Sequence, residues 1–223
     1  RQMCIRDSVK AGTGVTITTS GIDAIGVGIT VANINGGQFS NRNIIVNGAM
    51  EVDQRNAGVA TVTSLSSSHF AADRNRFFNY GCGELVASLQ RVEDAPAGFN
   101  FSNKVTITTP ESTGGTPAAD DRFTMQHRIE GHDINRLSLG TSDAKPFVIS
   151  FYVKASIAGN YGLAVVNQSG SRSYCMLYAA TTSWSRVVLK VPGDTSGTYS
   201  TSNSEGLALK FGLYTGSSRA GPD

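Results

Sequence analysis

Apolar and polar residues alternate along much of this chain. In the run 147–154, Phe147, Ile149, Phe151 and Val153 fall on one side of an extended backbone. The same alternation recurs in three further runs, 123–130, 187–191 and 207–214. A period of two with one apolar face is typical of antiparallel strands that pack on one side. The pattern therefore predicts strands, whereas helical periodicity is nearly absent.

Residues that favour turns separate these strands, for example at Asn47-Gly48, Gly114-Gly115 and Pro192-Gly193. Three more strand-like runs, 44–51, 84–92 and 104–109, bring the named runs to seven, and about nine short strands are predicted from residue 43 onward. Regularly spaced short strands predict an all-β fold, an antiparallel β-sandwich of the jelly-roll kind. Only the run 133–139 favours a short helix, with Asp133 as its N-cap and Gly140 at its end.

Residues 9–42 have a different character, because glycine interrupts their β-prone segments every few positions. This segment has no large aromatic residue before Phe39 and could not build a core alone. It is therefore interpreted either as a flexible linker or as strands that wind together with identical chains. The sandwich domain is expected to span 43–223.

The charge balance excludes several classes of protein. Only 16% of the residues are charged, and the net charge is +2 with no basic cluster in the sequence. This argues against nucleic acid as the main partner. No run of about 18 apolar residues occurs, so no membrane insertion is predicted.

Cysteine and histidine are too scarce and too scattered for a metal site. Cys4, Cys82 and Cys175 show no CxxC spacing, and the chain has three histidines. No metal and no cofactor is therefore predicted. Cys82 and Cys175 could pair in an oxidising compartment, but buried free thiols are favoured.

The histidines give little support for catalysis. No GxSxG motif is present. His127 lies on the apolar side of its strand and is interpreted as a hydrogen-bonded core residue. His132 is interpreted as part of a structural turn, with a binding role as the alternative. The sequence therefore predicts that the protein is not an enzyme.

Paired carboxylates are the other candidate for chemistry. Asp120-Asp121 and Glu93-Asp94 are adjacent pairs that we expect in solvated loops. Glu130 and Asp133 could instead bind a cation through loop oxygens. A polysaccharide-cleaving enzyme would need two acids that converge on the substrate, and the sequence does not indicate such a pair.

Sugar recognition needs an aromatic plane with polar side chains around it. The outward positions of the predicted strands offer such a mixture, and the candidate glycan-binding residues are Gln126, Arg128, Tyr152, Lys154 and Trp184. The first four are expected on one face, with Trp184 as a second candidate. The alternative is that Trp184 and the tyrosines seal the edges of the sandwich.

Several segments, in order, resemble the jelly-roll domain of many bacteriophage tail fibre proteins. The resemblance runs from about residue 43 to 215 and rests on NIIVNGAMEVDQR (43–55), ADR (72–74), QHRIEG (126–131), AKPFVISFYVK (144–154), SWSR (183–186) and VPGDT (191–195). The family often has Trp where this chain has Asn75 and Tyr152, so a sugar platform at either position would be weakened or moved here.

The resemblance implies a carbohydrate-binding-module-like sandwich at the distal part of a virion tail fibre. Such domains are usually homotrimers that bind host cell-surface polysaccharide and assemble with other tail proteins. Residues 9–42 then resemble the last part of a trimeric β-shaft. A purely structural virion domain, a spacer or a capsid decoration that contacts only proteins, is the alternative function.

The resemblance also bears on both ends of the sequence. Family members normally continue with further strands, so the domain 43–223 is expected to be incomplete at its C-terminus. The segment 1–8 resembles a translated sequencing adapter of the kind seen in metagenome assemblies, and it is expected to be non-native.

Overall fold

The structure is a computed structural model that describes residues 43–62, 68–111 and 118–219. The predicted non-native segment 1–8, the predicted shaft or linker 9–42 and Cys4 lie outside the described residues. Within the described part of the chain, no helix is long and apolar enough to cross a membrane.

The described residues form eleven strands, and every strand pair is antiparallel. The strands are β1 (Thr61–Val62), β2 (Ser68–Phe70), β3 (Asn75–Tyr80), β4 (Val86–Val92), β5 (Ser102–Thr109), β6 (Arg122–Glu130), β7 (Phe147–Val153), β8 (Gly159–Asn167), β9 (Ser173–Ala180), β10 (Ser185–Val191) and β11 (Glu205–Thr215). The predicted all-β antiparallel fold is confirmed.

Three sheets build the two layers of a sandwich. One layer is a six-stranded sheet with the order β2-β3-β6-β11-β8-β9. The second layer consists of a three-stranded sheet, β1-β4-β5, and a two-stranded sheet, β10-β7. From β5 to β8, and again from β9 to β11, successive strands alternate between the layers, which is the connectivity of a jelly-roll-like sandwich.

Two apolar clusters fill the space between the layers. The larger cluster includes Ile129 and Leu207 of the six-stranded sheet and Ile149 of β7. The smaller cluster joins Phe77 of β3 and Phe123 of β6 to the three-stranded sheet. Both small sheets therefore cover the same face of the six-stranded sheet.

A polar seam separates the two clusters on β6. His127 lies between Met125, which packs on the smaller cluster, and Ile129, and only 3% of it is exposed. Its Nδ1 atom is 3.4 Å from Oδ1 of Asn75, its neighbour in β3. The side chain of Asn75 in turn donates to Sδ of Met50 at 3.1 Å. The interpretation of His127 as a hydrogen-bonded core residue is confirmed.

The strand predicted over 44–51 is wrong, because this segment forms a turn. Asn47 adopts a left-handed backbone (φ 56°), which asparagine tolerates better than most residues. Its side chain donates to the carbonyl oxygens of Val52 (2.8 Å) and Asp73 (2.9 Å) and accepts from the Val52 amide (2.9 Å). These local hydrogen bonds replace those of a strand pair.

Replacing Asn47 with alanine is expected to lower the free energy of unfolding by about 2 kcal/mol, since three hydrogen bonds are lost and alanine disfavours a left-handed backbone. Urea unfolding would measure the change. Asn160→Ala, at an exposed position of β8, is the matched control and should change stability much less. Equal losses in the two variants would contradict a specific role for the Asn47 turn.

The predicted helix begins and ends earlier than the sequence indicates. The observed α1 spans Gly131–Ile134, a 3-10 turn follows over Asn135–Leu137, and no side chain caps α1. Tertiary contacts fix its start, because the amide of Gly131 donates to the Ser204 carbonyl (2.9 Å). A Cβ at Gly131 would lie 2.2 Å from the carbonyl oxygen of Ser200, so only glycine fits this approach.

Two smaller expectations also need correction. Cys82 and Cys175 are both free, but only Cys82 is buried, since Cys175 lies on the outer side of the edge strand β9. Burial raises the pKa of the Cys82 thiol to about 11. Asp121 is not a solvated loop residue: it is buried, and its carboxylate accepts a hydrogen bond from the Ala118 amide at 2.9 Å.

Candidate functional site

The structure separates the five candidate glycan-binding residues into two groups. Tyr152, Lys154 and Trp184 lie together at the outer side of the two-stranded sheet. Gln126 and Arg128 lie on the outer face of the six-stranded sheet, in the other layer. The single face predicted from the sequence is thus two faces, because the chain crosses from one layer to the other between β6 and β7.

Strand register brings the first group together. Tyr152 and Lys154 are two residues apart along β7, so they point to the same side. Arg186 of β10 pairs with Tyr152. Continuing this register by two residues places Trp184, just before β10, opposite Lys154. We use the name Tyr152 patch for a cluster of five residues: Tyr152, Lys154 and Trp184, with Asp94 and Phe99 from the connection between β4 and β5.

Asp94 is the centre of the polar half of this patch. Its carboxylate forms a hydrogen-bonded ion pair with Nζ of Lys154 and accepts a hydrogen bond from Nε1 of Trp184 at 3.0 Å. The Lys154 ammonium lies 5.3 Å from the centre of the Trp184 ring, a cation–π distance. The hydrogen bond from Lys154, and then that from Trp184, lower the pKa of Asp94. These bonds favour the charged form of the Asp94 carboxylate, which the patch presents beside Lys154.

Phe99 forms the apolar half of the patch with Tyr152. The two ring centres are 5.6 Å apart in an edge-on arrangement, and each residue is 41% exposed. A turn at Gly98 (φ 91°), where the Phe99 amide donates to the Pro96 carbonyl, brings Phe99 to β7. Two exposed aromatic rings therefore lie beside a pair of charged groups.

Sequence reasoning missed Asp94 and Phe99. Asp94 was expected to be a solvated loop residue, and Phe99 was not considered. Asp94 contacts partners 60 and 90 residues away, Lys154 and Trp184, and no local pattern indicates such contacts. The sequence shows only that Asp94 and Phe99 lie close together, between the strands predicted over 84–92 and 104–109.

This arrangement suits the recognition of a sugar ring. Exposed aromatic faces can pack against the apolar face of a pyranose, while fixed charged groups hydrogen-bond with its hydroxyls. Among residues 43–62, 68–111 and 118–219, no three His, Cys, Asp or Glu side chains group as a metal site requires.

Gln126 and Arg128 are both engaged within the protein. Gln126 is only 4% exposed although it points outward, because the side chain of Arg76 from β3 donates to its Oε1 atom at 3.3 Å. Nε of Arg128 is 2.9 Å from a carboxylate oxygen of Glu205. Gln126 is therefore placed to orient Arg76 rather than to meet a ligand directly.

A cavity of about 200 Å³ lies near the turn between β8 and β9. Its charged groups are already paired, because Arg172 donates two hydrogen bonds (2.6 and 2.7 Å) to Asp194 and the Tyr199 hydroxyl donates to the same carboxylate at 2.7 Å. The Arg172 hydrogen bond holds the pKa of Asp194 well below its usual range. This cluster fastens the segment after β10 to the β8–β9 turn.

Comparisons with known proteins give distant structural likenesses, and two of them are described next. No protein-family model and no curated protein matches the sequence. A solved structure described as a CBM4 is similar over 76% of this chain and 88% of its own, with 14% identity and a TM-score of 0.38. The enzymatically active domain of bacteriophage CBA120 tailspike protein 4 is similar over 78% of this chain and 20% of its own, with 10% identity and a TM-score of 0.39. Likenesses of this size do not indicate what this chain binds.

Proposed function

We propose that this chain is a non-catalytic glycan-binding domain of a phage tail fibre and that the Tyr152 patch contacts the sugar. One observation carries the binding assignment: exposed Phe99 and Tyr152 lie beside the ion pair of Asp94 and Lys154. The tail fibre assignment rests on the ordered sequence resemblance from residue 43 to 215.

The polar half of the patch is suited to binding because it is ordered before a ligand arrives. Asp94 holds Lys154 and Trp184 at once, so little rotational freedom remains to be lost when a sugar hydroxyl replaces water. Ser150 and Arg186 lie next to Tyr152 on the same outer face and add further hydrogen-bonding groups. The patch lies on the surface, where a long polysaccharide can reach it.

A single surface site of this size would bind weakly. In the proposed fibre, three identical chains present three sites to one host cell-surface polysaccharide, and the high effective concentration of the second and third sites raises the overall affinity. The protein would then act on the virion, together with other tail proteins. The mass of the full chain in solution tests the trimer.

Tyr152→Ala is expected to weaken glycan binding by about tenfold or more, because it removes one aromatic ring from the site and leaves the Phe99 ring without its partner. The full chain is screened on an array of bacterial surface polysaccharides, and the variants are titrated with the best-binding one. Tyr174→Ala is the matched control, since Tyr174 is exposed to a similar extent (44%) but lies on β9.

The outcomes of this titration separate the possibilities. Loss of binding in Tyr152→Ala with retention in Tyr174→Ala supports the patch. Equal affinities for both variants and the unmodified chain would overturn the site, and the absence of binding to every polysaccharide would overturn the function. Release of shortened saccharide during incubation would contradict a non-catalytic role.

A structural virion domain is the second candidate, and one observation favours it. Val148 and Val188 are exposed by 59% and 54% on the same outer face as Tyr152. Exposed apolar side chains at neighbouring positions suit a protein contact better than a sugar contact. If this reading holds, Val188→Lys should reduce the mass of the assembly in solution, and Tyr152→Ala should leave it unchanged.

A further inference from the structure

The outer face of the six-stranded sheet gathers positive charge that the sequence does not cluster. Arg76 of β3, Gln126 of β6 and Lys210 of β11 lie side by side across three neighbouring strands. Arg122 and Arg128 lie on the same face of β6, on either side of Gln126. Phe78 and Tyr80 share the side of β3 on which Arg76 lies. We use the name Arg76 patch for these two rings and the four cations: Arg76, Phe78, Tyr80, Arg122, Arg128 and Lys210.

Arg76 is fixed by neutral groups. Its Nε atom donates to Oγ of Ser68 at 2.7 Å, and its Nη1 atom donates to Oε1 of Gln126 at 3.3 Å. These bonds use two of the five N–H donors of a guanidinium. Among the described residues, no carboxylate oxygen lies within ion-pair distance of Arg76. Burial and then the Arg128 cation lower the pKa of Arg76, while the Glu205 carboxylate acts in the opposite direction.

Aromatic rings set the orientation of two guanidinium groups. Arg76 lies 4.4 Å from the centre of the Phe78 ring, and Arg122 lies 4.2 Å from that of Tyr80. Phe78 and Tyr80 are themselves stacked, with their centres 6.4 Å apart. A guanidinium that packs its flat face on a ring keeps its N–H donors at its edge, where they match the two oxygens of a carboxylate.

The sheet beside Lys210 leaves room for an extended ligand. Lys210 pairs with Ala164 of β8, and Gly162 and Gly212 lie two residues further along the same face; all three have small side chains or none. A Cβ added at Gly162 would meet no atom within 4 Å. A chain of sugars could therefore lie along β8 and β11 next to the cations.

Acidic residues limit the patch at one end. Glu205 pairs with Arg128 at 2.9 Å, and Glu130 lies 3.6 Å from Arg74. These carboxylates would repel a phosphate backbone that continued past this end of the sheet. They would repel a uronate carboxylate as well, so an acidic glycan would lie between them and the far end of the face.

We propose that the Arg76 patch binds acidic polysaccharides, with the Arg76 guanidinium pairing with the carboxylate of a uronic-acid residue and Lys210 adding positive charge beside it. Gln126 and Ser68 act as positioning residues that hold the Arg76 guanidinium. This site lies in the opposite layer from the Tyr152 patch and does not rest on the function proposed there.

The test uses the full chain and polygalacturonate, a polymer of one uronic acid, as the probe. Fully methyl-esterified polygalacturonate keeps the same backbone without the charge, and a short DNA duplex supplies a different polyanion. Arg76→Gln should weaken binding to polygalacturonate by about tenfold or more, because a charge-assisted pair is lost. Lys190→Gln removes the same charge from β10 in the other layer and should change affinity by less than about twofold.

Further variants separate this site from others. Lys210→Gln should also weaken binding, so the proposal stays testable if Arg76→Gln does not fold. Arg76→Lys keeps the charge but not the planar fork, and it should recover only part of the affinity. Tyr174→Ala on β9, outside both patches, should leave polygalacturonate binding unchanged, so a general loss of affinity is recognised.

Four results would overturn the proposal. They are no binding to polygalacturonate, equal binding to its methyl ester, equal losses in Arg76→Gln and Lys190→Gln, and tighter binding to the DNA duplex. A change in solution mass caused by Arg76→Gln, with no change in affinity, would assign this face to a contact between copies of the chain instead.

Discussion

Replacing Phe77 with alanine is expected to lower the free energy of unfolding by about 3–5 kcal/mol, as is typical when a fully buried aromatic residue is truncated. Phe77 has no exposed surface, and its ring centre lies 6.4 Å from that of Phe123. Its cluster also contains Ala87 and Leu89 of the three-stranded sheet. The variant therefore removes a residue that joins the two layers. Urea unfolding followed by tryptophan fluorescence would measure the loss.

Phe78→Ala is the matched control, because the same residue type stands one position later on the opposite side of β3. Phe78 is half-buried under Arg76, and its loss should cost less than about 2 kcal/mol. If the two variants were destabilised equally, the burial of Phe77 between the layers could not be the cause.

The sequence predicts those strands whose inward positions are apolar. β6, β7, β10 and β11 were found by their alternation, with bounds within two residues of the observed ones. β3 was not found, although Phe77 lies at its centre. Its other inward positions are Asn75 and Asn79, whose polar side chains are buried through hydrogen bonds that no period-two pattern reveals.

Two of the motifs that carry the family resemblance, those over 43–55 and 72–74, have structural roles in this chain. Asp73, in the ADR motif, donates its amide to the Val52 carbonyl (3.0 Å) and accepts from the Gln54 amide through its side chain (3.1 Å). Asn47 binds the carbonyl of Asp73. Hydrogen bonds between the first and second motifs thus hold residues 47–54 against the start of β3. The match of these motifs to the family therefore indicates a shared fold and does not indicate a ligand.

The candidate site was only partly predictable for a related reason. Residue types on β7 indicated Tyr152 and Lys154, since alternation along one strand is visible in the sequence. Asp94 and Phe99 reach them from a connection more than fifty residues earlier. Of the Arg76 patch, the sequence indicated only Arg128, because the cations come from three strands and a near-neutral chain gives no sign that a fold will collect them on one face.

Acidification is expected to reduce the stability of the fold through His127. Burial first, and the Arg74 cation second, lower the pKa of His127 to about 4, whereas an exposed histidine titrates near 6.5. Between these values the unfolded chain binds a proton that the folded chain does not. The stabilisation from this residue is therefore complete above about pH 6.5 and is lost as the pH falls towards 4, by about 3 kcal/mol in total.

The geometry around His127 explains why protonation is unfavourable. Nε2 has no hydrogen-bond partner among the described residues, so a proton there would place an unpaired cation in the seam between the two apolar clusters. His127→Gln removes the titration, while glutamine can still hydrogen-bond with Asn75. Urea unfolding of both proteins at pH 7 and pH 4 would measure the stability difference, which should shift by about 3 kcal/mol in favour of the variant at the lower pH. Parallel pH profiles for His127→Gln and the unmodified chain would exclude His127 as the acid-sensitive group.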